Sequence, residues 1–275
     1  PKLVIMSEEP LWDVTWSGPF TGRDGTLDVE GTRFRYTVLN HETSEIFAFR
    51  RLPYFVLTDD RFPVRYAAMM ARFAGVTPDE MLRRWRNAPV PAAFFAEKRH
   101  GELYSGGFPD RAVTRLSAYR TDVAAAVDLP GVLRVGRGWQ GEQRRRDLPD
   151  RHLDKLAQLD GRLRVAGAYE NVHQVAYISE KIFDAFAVGA VPTYWAGPTH
   201  RVFDLVPAQA MLNTHKLEAG DAARAIMEFT PDSACAEAWL DTCRSLARLF
   251  GDHTAILEER QRVAGAALAE IEALA

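Results

Sequence analysis

The sequence predicts an α/β protein built on doubly wound parallel sheet, and three observations carry that expectation. Short apolar runs suited to strands alternate with segments of helical periodicity along the 275 residues, the order a parallel sheet with crossover helices requires. Hydrophobic residues make up 47% of the chain and charged ones 26%, which is enough to bury a sizeable core. Leu129-Pro130-Gly131 then breaks the pattern into two blocks, each suggesting a Rossmann-like domain. The expected organisation is a first domain over residues 1–129, a second over 130–252, and a closing helix over 253–275 that either returns to the first domain or meets a second copy.

The elements follow in order. Leu3-Val4-Ile5-Met6 is a continuous apolar run, the pattern of a buried parallel strand. A loop with Gly, Asp and Pro extends to about Gly31. Phe34–Leu39 alternates and reads as a strand; Tyr54–Thr58 reads as another. Thr77-Pro78-Asp79-Glu80 starts a helix, with Thr as cap, Pro in the first turn and Glu completing a capping box. Ala92–Ala96 is a strand, and the spacing of Val113, Leu116, Tyr119 and Val123 predicts a helix over Asp110–Val127.

After the break, Val132–Val135 forms the next short apolar run. Asp150–Leu159 is a short amphipathic helix with Leu153, Leu156 and Leu159 on one face. Leu163–Tyr169 reads as a strand, Glu180–Val188 as a helix and Val191–Tyr194 as a strand. Asp221–Ala275 is helical, with interruptions near Pro231 and Gly251.

Bulk properties exclude several classes. A net charge of −3 creates no overall field for nucleic acid or anionic membrane. The one dense basic run, Arg144-Arg145-Arg146, is short and lacks interleaved aromatics, so it reads as a solvated loop or a local phosphate contact. Cys235 and Cys243 lie eight apart in a helical stretch, too far along one helix to bridge. There is no Cys/His ligand cluster, so no metal is expected. These features fit a reducing compartment. The N-terminal stretch turns acidic at Glu8-Glu9, unlike a signal peptide, and Ala185–Trp195 is too short to span a bilayer. The expected location is the cytoplasm, including the inner face of a membrane.

Gly136-Arg137-Gly138-Trp139-Gln140-Gly141 has the GxGxxG form and follows an apolar run. A dinucleotide motif opens an apolar helix packed on the sheet. Here Glu142-Gln143-Arg144-Arg145-Arg146-Asp147 follows instead. A glycine loop at a strand end that presents Arg137 to a phosphate fits better.

Polar residues crowd the stretch YENVHQVAYISEK, residues 169–181. The helical spacing of Ile182, Phe183 and Phe186 places Glu180 and Lys181 at a helix N-terminus, where free N–H groups and the dipole favour an anion. Lys181 suits a pyrophosphate, and Glu180 can accept two hydroxyl hydrogen bonds, as a ribose offers. Asn171 can both donate and accept. From periodicity alone, capping by Ser179, a dipole contact by Glu180 and a snorkelling Lys181 account for the pattern more simply.

The run Glu170-Asn171, Tyr177, Glu180-Lys181, Gly189, Pro192, Tyr194-Trp195, Pro198 resembles the signature of the α-1,3/4-fucosyltransferases, glycosyltransferase family 10. The clear resemblance covers roughly residues 160–215. Ser179 stands where Thr is usual, Val172 replaces a common Ser, Ala176 a common Asp, and Ala196-Gly197 reorders the small residues. The resemblance implies a GT-B architecture of two Rossmann-like domains facing across a cleft. It also implies metal-independent, inverting transfer from GDP-fucose, with no cofactor besides that donor, to a glycan hydroxyl such as that of a bacterial lipopolysaccharide. The chain contains no Asp-x-Asp, the usual clamp of metal-dependent sugar transfer. By resemblance Glu180 binds the ribose, Lys181 and an upstream arginine the phosphates, and Asn171 and Tyr177 the rest of the donor. Arg137 is the arginine expected from its position before the helix that precedes the YEN strand.

Inverting transfer needs a carboxylate near the acceptor hydroxyl. The resemblance places it after a short strand of the N-terminal domain. Glu42 in His41-Glu42-Thr43 is the better match, with Glu45 as the next choice. Two other readings stay open. Val172 and Ala176 allow another nucleotide-sugar donor, and the weakly matching N-terminal half allows a non-catalytic module that binds nucleotide or glycan.

Overall fold

The structure is a computed structural model that describes residues 2–16, 22–108, 112–139 and 148–274. The Arg144–Arg146 run and the second half of the glycine motif, Gln140 and Gly141, lie outside the described residues.

A small unit comes first. β1 (Lys2–Met6), α1 (Pro10–Trp16), β2 (Asp24–Val29) and β3 (Thr32–Leu39) give a three-stranded sheet of order β1-β3-β2. β1 pairs parallel to β3 in the register Leu3–Tyr36 to Met6–Leu39, and β2 pairs antiparallel to β3. The parallel pairing of the first apolar run matches expectation, but its burial does not. Leu3, Val4, Ile5 and Met6 are 39–59% exposed, because β1 is an edge strand with solvent on both faces.

Helices follow: α2 (Tyr54–Leu57), α3 (Arg61–Ala71) and α4 (Pro78–Arg86). Tyr54–Thr58, which reads as a strand, is a helical turn instead. Its β-branched and aromatic content favours a strand, but Pro53 sets an extended entry and Val56 is driven into the core. The α4 start is as the sequence dictates, with the Thr77 side chain accepting the Glu80 N–H.

Next come β4 (Val90–Phe95), β5 (Gly107–Phe108), β6 (Val113–Arg115), α5 (Ser117–Ala126) and β7 (Leu133–Val135). The predicted helix over 110–127 is thus a strand and then a helix. Val113 leaves the helical register because it packs with Leu11 and Val172 in a small cluster of its own, while β6 pairs with β5 and with β9 (Val172–His173). α6 (Arg151–Leu159), capped by Asp150, leads to β8 (Leu163–Gly167). α7 (Glu180–Ala187), β10 (Val191–Tyr194), β11 (Leu212–Asn213), α8 (Ala219–Glu228), α9 (Ser233–Gly251) and α10 (His253–Leu274) complete the chain. The last two breaks fall at Pro231-Asp232 and Gly251-Asp252.

The main sheet is five-stranded and all parallel, in the order β11-β10-β8-β4-β7. β4 alternates its side chains between two layers. Ala92 and Phe94 face Val123, Ala124 and Val127 of α5 with Ala222 and Ile226 of α8. Ala93 faces the larger core, where Trp85, Phe183, Phe186 and Trp239 pack from α4, α7 and α9.

β4 belongs to the first predicted block yet pairs with both β7 and β8. The sheet therefore runs unbroken past Pro130-Gly131, and the 129/130 line divides one sheet. That turn begins β7 within the sheet, as a Pro-Gly pair does anywhere a chain reverses. The separate unit is the smaller one around β1–β3.

α10 returns to that small unit. Val263, Ala266 and Ala267 pack on Leu39, Ile46 and Phe47. The Glu259 carboxylate accepts the backbone N–H of Arg50 (3.1 Å), Arg51 (2.8 Å) and Leu52 (3.4 Å). Arg262 donates to the carbonyls of Glu45 (2.8 Å) and Ile46 (3.3 Å), and Arg23 pairs with Glu270. Among the described residues no helix is long and apolar enough to cross a membrane.

Candidate functional site

In chain order the main sheet reads second, first, third, fourth, fifth, with β4 first and β8 third. Connections leave β4 and β8 toward opposite sides of the sheet, so a crevice opens beyond their C-terminal ends, where open α/β sheets hold ligands. Gly167, the last residue of β8, makes room for the Phe94 ring beside the crevice: a Cβ there would sit 2.3 Å from that ring. A narrow cleft lies here, lined by Glu97, Arg120, Thr121, Trp139, Tyr169 and Lys181.

Glu170, just past β8, organises the floor. It is 2% exposed. Its carboxylate accepts the Ser179 N–H (2.8 Å), the Ser179 hydroxyl (2.6 Å), the Tyr194 hydroxyl (3.3 Å) and the Lys181 ammonium (3.1 Å). Ser179 occupies the N-cap position of α7 but makes no side-chain cap bond. Its hydroxyl is spent on Glu170, so capping does not account for the polar crowding. Lys181 also donates to Ser179 Oγ (2.8 Å) and lies 3.6 Å from Glu180. Burial alone would lower the Lys181 pKa, but the charges of Glu170, Glu180 and Glu9 outweigh it and raise the value. Burial works to raise the Glu180 carboxyl, yet Lys181 and Lys155 hold it below its ordinary range.

The second half of the site spans the two units. Arg120 on α5 is 6% exposed and donates to Asn171 Oδ1. Burial, then the neighbouring Arg99, push its guanidinium down to about 10, against the pull of Glu170 and Glu9. Asn171 Nδ2 donates onward to Glu9 Oε1 (3.1 Å), and the Tyr177 hydroxyl donates to Glu9 Oε2 (3.1 Å). Burial pushes the Tyr177 phenol well above its ordinary value, with Glu9 and Glu170 adding to the effect. The phenol therefore remains a hydrogen-bond donor. Glu9 is positioned by the β1–α1 turn, which is fixed by Leu11 of α1 packing on Val113 and Val172.

Of the residues singled out in the sequence, Asn171, Tyr177, Glu180 and Lys181 converge here with Glu170. Arg137 sits at the rim beyond β7, its side chain 77% exposed and paired with Glu97 (3.2 Å). The arginine that enters the floor is Arg120. Glu42 is half-buried in the turn after β3, with its N–H donating to Asn40 Oδ1 (2.9 Å). Glu45 is exposed, and its carbonyl is tied to α10. Their neighbour His41 reaches the cluster, its ring meeting Tyr177 edge-on at 5.0 Å. Burial pushes His41 down to about 4.

Glu9 and Arg120 are the residues that sequence reasoning did not select. Glu9 carries a visible signal, since Glu8-Glu9 follows the first apolar run after one serine. That is the strand-then-acid context in which the base is sought. Arg120 has none: it lies inside an ordinary helical pattern, and only the crossing of α5 over the sheet turns it inward.

A further polar cluster lies beyond β10. His173 and His200 stack at 4.8 Å, and His173 meets Trp195 at 4.9 Å. Burial pushes His173 down to about 4 and His200 to about 3. No group of three or more side chains suited to hold a metal is found among the described residues.

No family model matches the chain, and no curated protein matches it. Among solved structures, it is similar to a crystal structure of an α1,3-fucosyltransferase with GDP-fucose, at 18% identity and a TM-score of 0.36, over 63% of this chain and 48% of that one. A second α1,3-fucosyltransferase structure matches at 18% identity and a TM-score of 0.35, over 60% and 46%. An α1,3-fucosyltransferase with GDP matches at 13% identity and a TM-score of 0.38, over 94% and 91%. The match thus spans about half the length of the first two.

Proposed function

We propose that this chain is an inverting, metal-independent glycosyltransferase of GT-B type that moves fucose from GDP-fucose to a glycan hydroxyl. One observation carries the proposal. At the topological switch point, Arg120, Lys181 and Glu180 gather at the start of α7, with Asn171 and Tyr177 beside them. These two reach a carboxylate, Glu9, from the other unit. The fucosyltransferase-like spacing of Glu170-Asn171, Tyr177 and Glu180-Lys181 supports the same donor.

In this arrangement the diphosphate lies over the N-terminus of α7 beside Lys181 and Arg120, and Glu180 accepts the ribose hydroxyls. Asn171 and Tyr177 border the sugar end. The acceptor oxygen attacks the anomeric carbon while a carboxylate of the N-terminal unit takes its proton and the bond to the phosphate oxygen breaks. Charge then grows on the departing GDP, where Lys181 and Arg120 stabilise it. Glu9 is the carboxylate best placed for this role, ahead of Glu42 and Glu45. Arg120 takes the place foreseen for Arg137. The acceptor is a glycan such as a bacterial lipopolysaccharide chain, met at the cytoplasmic face.

Calorimetric titration with GDP and turnover of GDP-fucose test the proposal. Wild-type protein binds GDP, and Lys181→Ala weakens that binding at least tenfold, or about 1.4 kcal/mol. Failure of the wild type to bind GDP would remove the proposal. Val172 and Ala176 motivate a second reading with another donor. Thermal shifts with GDP-mannose and UDP-sugars larger than that with GDP-fucose would favour it.

A further inference from the structure

Strand β9 and the loops after β10 and β11 meet around a point that no side chain occupies. Gly197, in the loop after β10, has no left-handed φ, so its backbone does not call for glycine. What a side chain would meet there is histidine. A Cβ on Gly197 would lie 3.2 Å from His173 Nε2 and 3.6 Å from His215 Nε2. The two imidazoles thus face one place above the Gly197 Cα. Trp195 packs against both rings, at 4.9 Å from His173 and 4.6 Å from His215, and is itself only part-buried. The surrounding loops are pinned. Asn213 Oδ1 accepts the N–H of Ala196 (3.0 Å) and of His215 (3.1 Å), and its Nδ2 donates to the Ala196 carbonyl (2.9 Å). The His200 N–H donates to the Gly197 carbonyl (3.0 Å), and the His200 ring stacks on His173. A ligand entering here finds its partners already fixed. Burial lowers the pKa of both His173 and His215, so the rings are uncharged at neutral pH and hold no anion. His173 Nδ1 is buried without a partner among the described residues, which leaves Nε2, facing Gly197, as the atom that bonds. Each neutral ring offers one N–H and one lone pair, and a hydroxyl can use one of each.

We propose that His173 and His215 form a subsite over Gly197 that reads a sugar hydroxyl, with Trp195 as its apolar wall. The subsite rests on the sugar-transfer reading above and adds where a sugar is recognised. An indole beside a paired donor and acceptor suits a pyranose, which carries apolar C–H faces and a rim of hydroxyls. The hydroxyl belongs either to the transferred sugar or to the saccharide acceptor, and the two sources give different results below.

The test is NMR of the imidazole nitrogens in the folded protein, whose seven histidines are assigned through His173→Gln and His215→Gln. The probes are GDP, GDP-fucose, galactose, N-acetylglucosamine and lactose. Where the hydroxyl is the donor's, GDP-fucose shifts the Nε2 signals of His173 and His215 and GDP does not. Where it is the acceptor's, a free sugar shifts them. Gly197→Ala fills the space and weakens binding of that same probe at least about tenfold, with GDP affinity and melting temperature unchanged. Where Gly197→Ala lowers the melting temperature, His215→Leu, at a part-exposed position, decides by the same loss. Equal shifts with GDP and GDP-fucose and none with any free sugar overturn the subsite, as do sugar shifts that survive both variants. Where neither GDP nor GDP-fucose binds at all, the functional proposal falls. Free-sugar shifts lost in Gly197→Ala then keep the subsite, and their absence overturns it.

Discussion

The Tyr177 hydroxyl donates to Glu9 Oε2 at 3.1 Å, joining residues 168 apart in sequence and belonging to different units of the fold. Asn171 grips the other oxygen of the same carboxylate. The acid of the β1–α1 turn is therefore held by the residues expected to border the donor sugar.

Glu9→Gln keeps the volume and one acceptor oxygen while removing the basic carboxylate; its amide NH2 meets one of the two donors, Asn171 Nδ2 or the Tyr177 hydroxyl. Fucosyl transfer is expected to fall by roughly a hundredfold to ten-thousandfold, the range of general-base contributions, with GDP affinity changed by less than about threefold, or about 0.65 kcal/mol. Glu42→Gln is the comparison. Loss of turnover there, with Glu9→Gln active, would return the role to Glu42.

Glu170 is the buried hub of the network at the start of α7. Glu170→Ala strips Lys181 of its buried partner and orphans the Ser179 and Tyr194 donors. The expected loss is about 3–5 kcal/mol of unfolding free energy, read from urea denaturation. A loss below about 1 kcal/mol would show that the network relaxes around its absence.

The buried histidines predict acid sensitivity. His41 and His173 are held near 4 and His200 near 3, all by burial. Their unfolded values lie at 6.5, so the unfolded chain binds more protons below that pH. Stability is therefore full above pH 6.5 and falls as pH drops toward 4. Each histidine contributes a slope approaching about 1.4 kcal/mol per pH unit in mid-window. His173→Gln should reduce the slope by up to that amount, and an unaltered slope between pH 6 and about 4.5 would exclude His173 as a contributor.

Glu259→Gln weakens the acceptor for three consecutive N–H groups and its contact with Arg262. The expected loss is about 1–3 kcal/mol, together with a fall in turnover, because the segment it holds adjoins the turn of Glu42 and His41. Unchanged turnover despite lost stability would separate the two effects.

The sequence displays the second half of the chain plainly. Val191–Tyr194 and the start of α7 fall where the pattern places them, because strand, cap and helix there are set by local residues. The same local logic fails where distant packing decides. Val113 fits the spacing of the helix that follows, but Leu11 and Val172 draw it into a strand. Tyr54–Leu57 has strand-like composition and packs as a helical turn. Leu3–Met6 has the apolar run of a buried strand and lies on an edge. Asn171, Tyr177, Glu180 and Lys181, which meet in one cluster, are legible because one contiguous motif carries them. Glu9 and Arg120 are reached only when α1 and α5 are folded onto it.

The return of α10 to Ile46 and Phe47 has a consequence for synthesis. The turn that ends at Leu52 receives its acceptor, Glu259, only after the whole main sheet has left the ribosome. Until then Leu39, Ile46 and Phe47 lack the cover of Val263, Ala266 and Ala267, and the amides of residues 50–52 lack their acceptor. A nascent chain stalled before residue 253 would present the network around Glu170 and Lys181 complete, with the apolar face of Leu39, Ile46 and Phe47 still uncovered.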